Sequence, residues 1–149
     1  MRLSRPIRFA LHALCAGTLT AATGLAHADP VFSGLDFSGT YQCQGQDDHE
    51  GPYTGVVTLK LQPAHSRGQQ GAYDFVLEVP GYGRYPGHAA AEGPHMAIHF
   101  ALTDPSKQDY GTGIATFTKS PAGKWAFRKY YYEPAFKGGN AGTETCTQR

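Results

Sequence analysis

The chain has 149 residues with thirteen Lys and Arg against twelve Asp and Glu, 40% hydrophobic residues, 19 Gly and 10 Pro. Near-neutral charge without a basic patch excludes a nucleic-acid-binding reading, because phosphate tracking needs clustered Lys and Arg. The Gly and Pro content leaves no dozen-residue window with uninterrupted apolar positions at helical spacing, which points to an all-β domain.

The first residues read as an export signal. Arg2, Arg5 and Arg8 precede a mostly apolar run from Phe9 to Leu25, and Ala26-His27-Ala28 fits the small-x-small cleavage rule. Residues 1–28 are therefore expected to be a cleaved signal peptide. The run is shorter than the roughly 20 residues that a membrane span requires, so no span is expected in the mature chain. Periplasmic or secreted localisation follows. Removing the three leader arginines leaves ten basic residues against twelve acidic ones. Cys15 leaves with the leader, so Cys43 and Cys146 become an even pair in an oxidising compartment, where a disulfide is the default.

Residues 29–37 are expected to form a flexible N-terminal segment before a β-domain over 38–149. In chain order, "GTYQCQG" reads as a first strand. "PYTGVVTLKL" alternates Tyr53, Val57, Leu59 and Leu61 inward with Thr54, Thr58 and Lys60 outward. "AYDFVLEV" places Tyr73, Phe75, Leu77 and Val79 inward, forming a hairpin with the previous strand. "YGRYPGHAA" is expected to be a bulged, bent fourth strand because Gly and Pro interrupt it. "HMAIHFAL" puts Met96, Ile98, Phe100 and Leu102 on one face and His95 and His99 on the other. "YGTGIATFTK" and "KWAFRKYYYE" flank the turn "SPAG", and "NAGTETCTQ" ends the series.

Eight short antiparallel strands predict an up-and-down β-barrel, since closure removes unpaired edges. A two-sheet sandwich is the alternative. An eight-stranded barrel is just wide enough to be filled by its own side chains or to hold one small ligand.

At Gly39-Thr40-Tyr41 the chain resembles the calycin barrels, the lipocalins and avidins, whose first strand carries Gly-x-Trp; Tyr41 takes the tryptophan position. That resemblance implies a small-ligand-binding barrel. Tyr41-Gln42-Cys43 with the late Cys146 is similar to the cysteine placement of the periplasmic C-type and membrane-bound lysozyme inhibitors, which implies a protein-binding module acting through loops.

Several local clusters invite chemistry. "QDDHEG" gathers Asp47, Asp48, His49 and Glu50, an oxygen-rich set that a hard cation would favour, although adjacent side chains diverge and a solvated turn is the default. His95 and His99 lie roughly 13–14 Å apart along one strand, so each would need a partner from a neighbouring strand to hold an ion. No Gly-x-Ser-x-Gly or reactive-thiol pattern is present, and a hydrolytic role for Glu133 with Glu144 would demand a specific separation. A non-enzymatic protein without a cofactor or metal is the expectation, with a small molecule or a periplasmic protein as its partner.

The candidate ligand-binding residues are Tyr82 and Arg84, at a barrel mouth, and Lys129, Tyr131, Glu133 and Glu144. The last four depend on register. Strict alternation after Trp125 and Phe127 brings Lys129, Tyr131 and Glu133 inward beside Glu144. The default instead inserts a bulge after Arg128, turning Tyr130 and Tyr132 inward and leaving Lys129 and Glu133 in water.

Overall fold

The computed structural model describes residues 30–149, so the expected signal peptide and its expected cleavage site lie outside the described residues. Eight antiparallel strands close into a barrel in simple sequence order: β1 Gly39–Asp47, β2 Gly51–Leu61, β3 Gln70–Val79, β4 Gly83–Glu92, β5 His95–Ala101, β6 Tyr110–Lys119, β7 Trp125–Glu133 and β8 Asn140–Gln148. β1 pairs with both β2 and β8, which rules out the sandwich. Among the described residues no helix is long and apolar enough to cross a membrane.

Alternation decides which side chains fill the interior. Tyr41 and Cys43, Val57 and Leu59, Tyr73 and Phe75, Met96 and Ile98, and Phe117 and Phe127 are all buried. Cys43 and Cys146 are directly opposed across the β1–β8 seam, with Cα atoms 4.1 Å apart, and form the expected disulfide. The link joins the first strand to the last across 103 residues of chain.

One end of the barrel is sealed. Phe37, in the segment that precedes β1, is fully buried and stacks on Phe117 with ring centroids 4.0 Å apart, edge-on to Trp125 at 4.9 Å. The Tyr41 hydroxyl donates to the Phe37 carbonyl at 2.7 Å, and the Tyr73 hydroxyl donates to the Leu35 carbonyl at 2.9 Å. The packed domain thus begins at least two residues before its first strand, within the segment expected to be flexible. The opposite end is framed by the β1–β2, β3–β4, β5–β6 and β7–β8 connections, and it is the open mouth.

Two local expectations are corrected. β4 carries no bulge: its register with β3 runs unbroken from Val79↔Gly83 to Gln70↔Glu92. Gly87 is instead required by close approach, since a Cβ there would lie 1.8 Å from the His99 carbonyl oxygen. β7 also lacks a bulge, pairing continuously from Ala126↔Thr147 to Glu133↔Asn140. Lys129, Tyr131 and Glu133 therefore point inward, and Tyr130 and Tyr132 lie on the outer face, 50% and 47% exposed. The reason is a partner: Lys129 and Glu144 are directly opposite across β7–β8 and satisfy each other inside.

Candidate functional site

The interior beneath the mouth is built around that pair. Lys129 Nζ lies 2.6 Å from Glu144 Oε2, and both side chains are excluded from solvent. The Tyr53 hydroxyl donates to Glu144 Oε1 at 2.8 Å. The ammonium is also ringed by aromatic faces, 5.4 Å from the Phe75 centroid, 5.1 Å from Phe100 and 5.2 Å from Tyr131. Quadrupole attraction from three rings supplements the carboxylate. Burial, then the Glu144 charge, pushes the Tyr53 hydroxyl far above its ordinary pKa, so it stays a donor.

Glycines make this packing possible. Gly45 lies opposite Tyr53 and Gly142 opposite Tyr131. A Cβ at Gly45 would lie 2.2 Å from Tyr53 Cζ, and one at Gly142 would lie 2.3 Å from the Tyr131 hydroxyl. Small inward residues beside large ones fit the side chains into the barrel's taper.

Above the pair, nearer the mouth, stands a carboxylate cluster. Asp47, at the end of β1, accepts from the His49 and Glu50 backbone N–H groups at 2.9 and 2.8 Å on one oxygen. Its other oxygen accepts from Tyr131 at 2.8 Å and Asn140 at 2.7 Å. Burial would raise the Asp47 carboxyl, but these four hydrogen bonds together hold it below the ordinary carboxylate range. Asn140 also donates to Glu133. The Tyr85 hydroxyl donates to Asp109 Oδ2 at 2.8 Å. Burial pushes Glu133 up to about 7, helped by the charges of Asp109 and Asp47, and burial likewise raises Asp109.

Asp47, Asp109 and Glu133 take their hydrogen bonds from neutral donors. Asp109 is only 8% exposed, and its Oδ1 has no hydrogen-bond partner; Asn140 Oδ1 is a second unpartnered acceptor in the cluster. Such buried acceptors normally find a donor.

The mouth cavity, about 50 Å³, is lined by Asp109 and Glu133 together with Tyr82, Tyr85, Phe100 and Phe136. A pocket for a drug-sized ligand spans roughly 300–1,000 Å³. The barrel is therefore largely filled by its own side chains, with room at the mouth for a small head group.

Of the candidate residues, Lys129, Tyr131, Glu133 and Glu144 come together inside the barrel, and Tyr82 lines the mouth. Arg84 does not join them. It faces outward beside Glu78 at 3.6 Å, one residue away from the inward Tyr85. Sequence reading missed Tyr53, Asp109 and Asn140 as site members, and it took Asp47 for part of a solvated turn. The outer members of that turn do remain at the surface, where Glu50 pairs with Lys137. Asp47 is distinguished by its inward parity with Tyr41 and Cys43 on β1, a signal that was present in the alternation.

Among the described residues, the one group of three potential metal ligands whose donor atoms converge within 4.8 Å is Cys43, Glu144 and Cys146, whose sulfurs are joined in the disulfide. The mouth carboxylates form no such group. No protein-family model matches the chain, and no curated protein matches it either.

Proposed function

We propose that this is an exported, non-enzymatic binding barrel whose mouth takes a compact organic cation, an ammonium or guanidinium group. The observation that carries the reading is Asp109 Oδ1, a buried, unpartnered carboxylate oxygen in an aromatic-walled cavity. Carboxylates supply charge-assisted hydrogen bonds to such a group. Tyr82, Tyr85, Phe100 and Phe136 supply the ring faces that favour an organic cation over a hydrated metal ion. The cavity is too small for a lipophilic ligand of the kind that open calycin barrels hold, so the calycin-like reading narrows to a head group bound at the rim.

The same size favours a second source for that group. A cavity of about 50 Å³ accepts the tip of a Lys or Arg side chain while the rest of a partner protein stays outside. Tyr82, half exposed at the rim, would then meet the partner's surface.

Calorimetric titration at pH 8 with putrescine, ethylguanidine and L-arginine tests the chemistry, with n-pentanol as an uncharged control. Binding of at least one cation, no heat from n-pentanol, and loss of binding in Asp109→Asn are expected. An equal response to n-pentanol, no response to any cation, or unchanged binding in Asp109→Asn overturns the reading. Pull-down from periplasmic extract with parent and Asp109→Asn distinguishes the sources, since a protein partner would give a stoichiometric complex that the variant loses.

A further inference from the structure

The outer face of β4 and β5 carries a separate pair of potential ligands. His88 and His99 are directly opposed Cα partners, both exposed, with ring centroids 5.2 Å apart and planes at 43°. The opposition supplies His99 with the neighbouring-strand partner that a single strand cannot provide. His95, on the same face of β5, is opposed by Glu92 and lies beside Thr116.

We infer that His88 and His99 form a cross-strand chelate for a borderline divalent transition-metal ion, zinc or copper(II). Imidazole nitrogens bind such ions at about 2.0–2.1 Å, which sets two ligands of one tetrahedral ion roughly 3.3 Å apart. Directly opposed side chains on one sheet face have Cβ atoms about 4.5–5.5 Å apart. With the centroids already at 5.2 Å, rotation of the two rings brings one nitrogen of each to that spacing without moving the backbone. The strands themselves are held rigid by continuous pairing on both sides.

The register adds a carboxylate to the row. Asp74 on β3 is the Cα partner of His88, so Asp74, His88 and His99 stand side by side on three adjacent strands. Asp74 is held from its far side by the Gln62 amide. A metal-bound histidine characteristically donates its second ring N–H to a carboxylate, which fixes the tautomer and raises ligand basicity. Asp74 occupies the position for that role toward His88. The remaining coordination positions face solvent and would be taken by water, making this an open, exchangeable site. Neither the mouth nor the disulfide contributes to it.

Titration of the disulfide-intact protein with zinc chloride and copper(II) chloride, followed by histidine-ring NMR for zinc and calorimetry for both, tests the assignment. One ion per chain is expected, with copper(II) tighter than zinc as the divalent series orders them. His88→Ala and His99→Ala should each weaken binding at least about tenfold, as should the double substitution, while His95→Ala and His49→Ala leave it unchanged. Asp74→Asn should weaken binding to a smaller extent. Calcium chloride, which does not favour imidazole, should leave the ring resonances of His88 and His99 in place. No uptake of either transition ion, or uptake that persists in the His88→Ala/His99→Ala protein, overturns the assignment. Because both side chains are on the surface, circular dichroism of the variants should match the parent.

Discussion

Glu144→Gln probes the interior most directly. The amide preserves the shape of the side chain and keeps an acceptor for the Tyr53 hydroxyl at 2.8 Å, so packing and that hydrogen bond survive. What disappears is the charge opposite Lys129 Nζ at 2.6 Å. Three aromatic faces remain around the ammonium, and together they compensate only part of its desolvation. Removing one partner of a buried pair costs about 3–5 kcal/mol, a large share of the roughly 5–15 kcal/mol by which domains of this size are stable. With a urea slope of about 1–3 kcal/mol/M, the unfolding midpoint should fall by roughly 2 M. Lys129→Met in the Glu144→Gln background removes the stranded charge and should recover most of the loss, because a paired interior charge adds little net stability over an apolar replacement. Urea unfolding monitored by near-ultraviolet circular dichroism measures both steps. A Glu144→Gln cost below about 1 kcal/mol, or a double variant no more stable than the single one, would refute a charged, mutually dependent pair.

Glu133→Gln should change the pH dependence of stability. The folded carboxyl titrates at about 7, above its ordinary 4.5, so between these values the native state holds the proton more strongly. Stability from this group is fully present below about 4.5 and is lost as pH rises through 7, on the order of 3 kcal/mol in all. The parent should therefore melt lower at pH 8 than at pH 5, and Glu133→Gln should flatten that difference; an unchanged profile counts against the buried assignment. Gly142→Ala sets a methyl 2.3 Å from the Tyr131 hydroxyl and 2.6 Å from the Gln46 carbonyl oxygen, and should cost about 1–3 kcal/mol in chemical denaturation. Cys43→Ala with Cys146→Ala opens a loop of 103 residues and should lower stability by up to about 4–5 kcal/mol, read as a fall in the denaturation midpoint.

Much of the fold was legible because one signal recurs along the chain. Tyr73, Phe75, Leu77 and Val79 alternate without interruption, and Met96, Ile98 and Phe100 do the same, so strand identity and inward parity are local properties. Closure was expected because eight short strands in an open meander would leave edges to protect, with a sandwich as the alternative, and the pair Cys43 and Cys146 tied the first part of the chain to the last. The end plug was not. Phe37 shares the odd parity of the inward Tyr41 and Cys43 but precedes the first strand, and its burial comes from contacts with Phe117 and Trp125 some eighty residues away.

The run "KYYYE" shows where local reading stops. On β7 alone, placing Tyr130 and Tyr132 inside is the cheaper choice, because it leaves Lys129 and Glu133 in water. What reverses it lies on other strands. Glu144 stands opposite Lys129, Asn140 opposite Glu133, and Gly142 leaves the space that Tyr131 occupies. Each inward polar residue of β7 thus meets a matched residue of β8, whereas an inward Tyr130 or Tyr132 would meet Thr143 or Ala141. Outside, Tyr130 lies beside the exposed Ile114 and Tyr132 beside Thr112, and both tyrosines stay about half exposed. The decisive information is therefore the complementarity between two strands, in which parity on β7 is chosen by the sequence of β8.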